Sequence, residues 1–151
     1  MSETSLDQAY LQAALAWLDA RLERYVRRWQ LAGQDPSDRF RGLHISDEKA
    51  LALAQAQGAA ELPQKEINDL KKQEEKASQQ MQSLEKAAAD DGLIPRLKAV
   101  ESIFGLTSFE WWAFIICLAP ALDLRYERIY GYLQDDVTQT AAGADLILNL
   151  L

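Results

Sequence analysis

The sequence is poor in the residues that build metal and nucleotide sites. It contains one cysteine, Cys117, and one histidine, His44, so its own residues supply neither an intrachain disulfide nor a structural zinc site of cysteine and histidine ligands. Its seven glycines lie in neither of the glycine-rich frames that bind phosphate, G-x-x-x-x-G-K-[ST] and G-x-G-x-x-G. We therefore expect no catalytic residues, no metal and no cofactor within these residues.

Long apolar runs are also missing. The most apolar stretch is residues 111–122, which is shorter than the roughly 20 residues needed to span a bilayer. It predicts a central core helix, with Cys117 as a small buried hydrophobe inside it. Residues 1–5 show neither the basic start nor the apolar segment of a signal peptide. Together with the single cysteine, this indicates a cytoplasmic protein that does not enter a membrane.

Positive charge is scarce overall but locally concentrated. The net charge of −7 disfavours a general nucleic-acid binder, because phosphate contacts need a basic surface. Residues 21–41 nevertheless hold six arginines against three acidic residues, which leaves +3. Arg21, Arg24 and Arg28 share one helical face within this stretch. That face is compatible with a phosphate-binding patch and equally with a solvated helix end, where cations are favoured.

Proline, glycine and capping residues divide the chain into six or seven helices, and no segment alternates with the period of two that marks a strand. The sequence therefore predicts an all-α fold. Ser5 with Gln8 and Thr107 with Glu110 match the capping-box pattern, and Pro120 is expected to end the fifth helix. The predicted helices are residues 6–32, 46–58, 64–89, 95–104, 108–118, 124–134 and one from about 144 to the end.

The helix predicted from residue 64 is long and polar, and we expect residues 64–90 to protrude from a compact core of residues 93–151 within a single domain 1–151. Its apolar seam is thin, which predicts packing on one partner helix at most. A helical oligomerisation module is accordingly a weak alternative function, because alanine and glutamate interrupt the seam. The seam residues are Ile67, Leu70, Glu74, Ala77, Met81, Leu84 and Ala88.

Tyrosine and arginine are concentrated in residues 122–136. Such amphipathic side chains suit packing within a domain and also suit protein interfaces, and the sequence leaves both interpretations open. The adjacent aspartates at the end of this stretch are interpreted as an acidic turn rather than as a cation site. The candidate interaction residues are Arg125, Tyr126, Arg128, Tyr130, Tyr132, Asp135 and Asp136, in addition to the three arginines above.

Three segments carry a resemblance to a known family: Phe40-Arg-Gly-Leu-His-Ile-Ser46, residues 96–110, which contain Phe-Gly-Leu-Thr-Ser-Phe-Glu110, and Leu118-Ala-Pro-Ala-Leu-Asp-Leu-Arg-Tyr-Glu-Arg-Ile-Tyr-Gly-Tyr-Leu-Gln-Asp-Asp-Val-Thr138. They resemble the N-terminal region of AAA-type ATPases encoded with bacterial phage-tail-like contractile injection systems. The resemblance implies a variant winged-helix domain, with room for a short β-hairpin around residues 132–143. It also implies that ATP and magnesium bind only to a module after Leu151. The apolar helical pattern that runs to Leu151 fits this expectation of a longer protein.

The function predicted from the sequence is a non-catalytic docking domain of such an ATPase, which engages a protein partner or substrate of an injection system. Residues 135–151 contain three aspartates and no lysine or arginine, whereas a helix that reads DNA needs basic residues. Protein docking is thus favoured over the alternative, a nucleic-acid-binding winged-helix-like module that uses the arginines of residues 21–41.

Overall fold

The computed structural model describes residues 3–31 and 62–151, and within them it contains six helices and no strand. The predicted all-α fold is confirmed. The predicted loop 33–45 with His44, the helix 46–58, Arg39 and Arg41 lie outside the described residues. No helix of the described part is both long and apolar enough to cross a membrane. The helices are α1 (Glu3–Leu31), α2 (Gln64–Asp90), α3 (Arg96–Phe104), α4 (Ser108–Leu122), α5 (Arg125–Leu133) and α6 (Ala144–Leu150).

Helices α1 and α2 pack along each other in antiparallel directions. The hydrogen bonds between the two helices show this. Arg27, late in α1, bonds to Glu66 near the start of α2, whereas Tyr10, early in α1, bonds to Glu85 near the end of α2. The predicted seam of α2 is the face that meets α1. Its buried members are Leu70, Glu74, Ala77, Met81 and Ala88.

The start of α1 corrects one prediction. The helix begins at Glu3, so Ser5 lies inside the first turn and does not form a capping box with Gln8. Glu3 places a negative charge in that first turn, where the helix dipole favours it. The second predicted capping box is present: the Thr107 hydroxyl accepts a bond from the Glu110 N–H, and the Glu110 carboxylate accepts one from the Thr107 N–H at 2.8 Å.

The end of α4 corrects a second prediction, because the helix runs through Pro120 to Leu122. Proline has no N–H to give to the carbonyl of Ile116, four residues earlier. The hydroxyl of Tyr130 donates to that carbonyl at 2.8 Å in the buried core. A side chain of α5 therefore replaces the missing helical hydrogen bond, and the helix continues.

The exposure of α3 and α4 corrects two further predictions. Cys117 is exposed, and so are Phe109 and Phe114, so α4 buries only one face, although its sequence is apolar almost all round. On α3, Phe104 is 72% exposed. The buried residues of α4 are Trp111, Ile115, Ile116 and Ala119.

The segment after α5 contains no strand, so the hairpin considered for residues 132–143 is not present in it. The side chain of Gln134 organises this segment instead. Its amide nitrogen donates to the carbonyl of Ala141 at 2.9 Å, and its Oε1 accepts from the N–H of Gly143 at 2.8 Å. One glutamine thus closes the loop that leads into α6.

Candidate functional site

The arginines of α1 meet a single carboxylate on α2. Arg21 Nε lies 2.9 Å from one oxygen of Glu74, and an Nη of Arg24 lies 2.9 Å from the other. The Glu74 side chain is only 11% exposed, so this is a largely buried three-residue ion cluster. Burial, more than the neighbouring Arg21 and Arg28, lowers the pKa of Arg24.

Arg21 also holds the last turn of α6. One of its Nη atoms donates to the carbonyl oxygen of Leu150 at 2.6 Å and to that of Leu151 at 3.3 Å. The guanidinium lies 4.5 Å from the centre of the Trp17 ring. This cation at a helix C-terminus satisfies carbonyls that have no helical partner. Arg21 is therefore a structural link between α1, α2 and α6.

Arg28, the third arginine of the predicted patch, is exposed and forms no ion pair with the described residues. Arg27, which the sequence analysis did not single out, pairs with Glu23 and with Glu66. Of the four arginines of α1, three thus pair with carboxylates of the same fold, and Arg21 and Arg24 share one of these carboxylates.

Helix α5 turns one predicted face inward. Tyr126 and Tyr130 are both fully buried, and burial raises the pKa of each hydroxyl, which stays protonated and donates. Tyr126 donates to Asp19 on α1 at 2.8 Å. Arg125 donates to the same carboxylate at 2.7 Å and covers the Tyr126 ring. These three residues hold α5 in the domain.

The opposite face of α5 borders a pocket of about 240 Å³. Three predicted interaction residues, Arg128, Tyr132 and Asp135, come together there. Asp135 has a φ of 53°, a left-handed conformation that non-glycine residues seldom adopt, and it turns the chain beside this pocket. The described lining residues are Glu127, Arg128, Gly131, Tyr132, Asp135 and Val137.

Asp136, the last predicted interaction residue, stabilises its own turn. Its carboxylate accepts from the hydroxyl of Thr138 at 2.7 Å and from the Thr138 N–H at 2.9 Å, and these bonds lower the pKa of Asp136. Gly131 allows a close approach of this turn, because a Cβ there would lie 3.1 Å from the Asp136 carbonyl oxygen, which is a tight contact. The acidic turn is thus held in place by its own hydrogen bonds.

An exposed apolar surface lies where α3 meets α4, and sequence reasoning missed it. Ile103 and Phe104 end α3 with 73% and 72% exposure, and Phe109 opens α4 with 49%. We call these three residues the apolar corner. Gly105, in the left-handed region at φ 62°, makes the sharp connection between the helices. A usable signal was present in the sequence, since Phe104 directly precedes Gly105 and Phe109 lies within the capping box of Thr107 and Glu110. Both phenylalanines therefore stand at helix ends, where periodicity does not assign them to a core.

The described residues contain no group of three or more histidine, cysteine, aspartate or glutamate side chains arranged to hold a metal ion. Cys117 is exposed on α4. The main features of the described residues are the ion pairs, the buried tyrosines, the apolar corner and the open pockets.

Comparison with known protein families identifies the class. Residues 5–151 match the family described as "Winged helix domain, variant", and the chain belongs to that family. Winged-helix domains are generally non-catalytic and bind protein or nucleic acid. No curated protein and no solved structure matches the chain significantly.

Proposed function

We propose that this chain is a docking domain that binds a protein partner through the apolar corner. The observation that carries the proposal is the exposure of Ile103, Phe104 and Phe109 around one tight connection. Burying a large apolar side chain contributes about 1.5–3 kcal/mol. Clusters of exposed aromatic side chains are typical of interfaces, because aromatic residues supply much of the binding energy there.

The basic residues support protein docking over nucleic-acid binding. Arg21, Arg24, Arg27 and Arg125 each pair with a carboxylate of the fold, so these guanidinium groups are already engaged in holding the fold. Arg28 and Arg128 form no ion pair with the described residues. Helix α6 contains no basic residue. A DNA-reading helix presents arginine or lysine to the groove, and α6 lacks both.

We further propose that the partner belongs to a contractile injection system and that this chain is the N-terminal domain of an AAA-type ATPase. ATP and magnesium would then bind outside this chain. The support is the motif from Leu118 to Thr138, together with the Phe104–Glu110 motif that contains two corner residues. In the second motif Glu110 caps a helix and Leu106 packs against the core. Phe104 and Phe109 have no such structural role, which fits their use in binding.

The experiment uses the 151-residue chain as immobilised bait and separately purified components of the injection system as prey. We expect one component to bind and the double variant Phe104→Ser/Phe109→Ser to lose that binding. The control is Leu148→Ser, an equally exposed apolar residue on α6 outside the corner. Unchanged circular dichroism shows that each variant is folded.

Two results would contradict this proposal. If every component binds the double variant as well as the wild type, the corner is not the docking surface. If no component binds but the chain retards duplex DNA in a gel at low salt, and added salt abolishes the retardation, the nucleic-acid alternative replaces it.

A further inference from the structure

A groove runs along the surface between α1 and α2 and reaches α3 and α4, where Glu101 and Ser108 border it beside the apolar corner. It consists of two adjoining pockets of about 690 and 270 Å³ that share Ser78 and Gln82. The first pocket includes Arg24 and Lys71 at one end, and the second includes Glu85 and Lys98 at the other. Because Ser78 and Gln82 border both pockets, the two pockets adjoin along α2.

The groove has the length of a short extended peptide. From Lys71 to Glu85 the helix advances by about 21 Å at 1.5 Å per residue. An extended chain covers about 3.3 Å per residue, so about six residues fit. The indole of Trp17 lies against that of Trp112 with ring centres 3.6 Å apart, and each borders one pocket. Trp17 is buried, so this stacked pair serves mainly as a rigid support for the two pockets.

The two ends of the groove carry opposite charge. Arg21, Arg24 and Lys71 outnumber Glu74 and Glu75 in the first pocket by one positive charge.

In the second pocket, Glu85 and Glu101 outnumber Lys98 by one negative charge. Lys98 already lies 2.7 Å from Glu101, and the Tyr10 hydroxyl donates to Glu85 at 2.6 Å. A ligand that complements the groove therefore has a negative group at one end and a positive group at the other.

Between the charged ends the groove offers uncharged hydrogen-bonding groups. Ser78, Gln79 and Gln82 border it, and their side chains form no hydrogen bond with the described residues. A serine hydroxyl and two side-chain amides can both donate and accept. They suit the alternating N–H and C=O groups of an extended backbone.

We propose that this groove binds an extended polypeptide segment of about six residues, with an acidic residue against Arg24 and Lys71 and a basic residue against Glu85 and Glu101. A nucleic-acid strand fits less well, because its phosphates repeat one charge along their whole length and the second pocket is acidic. The groove borders the corner at Glu101 and Ser108 but contains none of its three residues, and it extends the docking role from a folded partner to a linear segment.

The test uses the full ¹⁵N-labelled chain and a blocked hexapeptide with aspartate at one end, lysine at the other and alanine and serine between them. We expect chemical-shift changes at Ser78 and at the side-chain amides of Gln79 and Gln82. Lys71→Glu reverses the excess charge of the first pocket and should raise the dissociation constant about fivefold. Lys76→Glu, the same charge change on the same helix but outside the groove, should alter it less than about twofold.

The outcomes separate this proposal from the docking role of the corner. Equal weakening by both lysine variants would mean that net charge alone drives binding, and the groove would be rejected. Absence of groove shifts at about 5 mM peptide, or larger shifts with a single-stranded oligonucleotide at equal concentration, would also reject it. None of these results bears on the corner, whose role is read from the phenylalanine variants.

Discussion

Replacing Tyr130 with phenylalanine removes one hydroxyl from the middle of the core and leaves the ring in place. The hydroxyl donates at 2.8 Å to the carbonyl of Ile116, which has no N–H partner because Pro120 stands four residues later. The substitution therefore leaves a buried carbonyl without a hydrogen bond. Such a loss costs about 1–3 kcal/mol, above the roughly 1 kcal/mol net value of an ordinary hydrogen bond.

The cause can be isolated by restoring the missing donor. In Pro120→Ala, the new Ala N–H can bond to the Ile116 carbonyl, so Tyr130→Phe should cost at least about 1 kcal/mol less in this background than in the wild type. The free energy of unfolding is measured for the four proteins of the cycle by urea titration with circular dichroism at one pH. An unchanged m value establishes that the variants unfold from the same compact state.

Tyr126→Phe is the matched control. Tyr126 is as fully buried as Tyr130, but its hydroxyl bonds to Asp19 on α1, which Pro120 does not affect. Its cost should add to that of Pro120→Ala to within about 0.5 kcal/mol. If Tyr130→Phe were just as additive, the Pro120 account of this hydrogen bond would be refuted.

Three further predictions concern the ion cluster, the cap and the loop. Glu74→Gln should lower the free energy of unfolding by about 1–3 kcal/mol, because two partly buried arginines lose their carboxylate; urea titration measures it. Hydrogen bonds from the Thr107 backbone and hydroxyl lower the pKa of Glu110. The ionised carboxylate therefore stabilises the fold fully above its unfolded pKa of about 4.3. This stabilisation is lost as the pH falls through the lower pKa of the folded state. Carboxyl NMR titration should show the lowered pKa, and Thr107→Val should bring it closer to the ordinary value; an unchanged pKa would contradict the cap. Gln134→Ala should speed hydrogen exchange of the Gly143 amide, whereas an unaltered rate would show that the glutamine does not hold the loop.

The ends of the helices could largely be predicted from the sequence, because they depend on local chemistry. Pro63 and Pro95 each precede a helix directly, and Gly105 adopts the left-handed conformation that ends α3. The capping box at Thr107 needs only residues three positions apart. Pro120 was misread for a non-local reason, since its missing hydrogen bond is supplied from α5.

The buried face of α4 could not be predicted, because a helix that is apolar on every side has no periodic signal to orient it. The partner helices decide which side is covered, and they leave Phe109, Phe114 and Cys117 outside. In α2 the periodic signal was present: five of the seven predicted seam residues are buried. They include Glu74, although a charged residue is unusual in such a seam. Its compensation by two arginines depends on which face of α1 lies opposite.

The surrounding elements also decide which face of α5 is buried and which borders the candidate site. Tyr126, Tyr130 and Leu133 recur at steps of four and three and form its buried face, while Arg128, Tyr132 and Asp135 recur with the same steps and border the pocket. Sequence spacing alone separates these two sets, but it does not say which set meets the core. Asp19 and the Ile116 carbonyl settle the choice, because each accepts a hydrogen bond from a tyrosine of the first set. The buried half of the motif is therefore fixed by two acceptors outside α5. Asp19 lies 107 residues from Tyr126 along the chain, and Ile116 lies 14 residues from Tyr130. The other half of the motif is left facing outward.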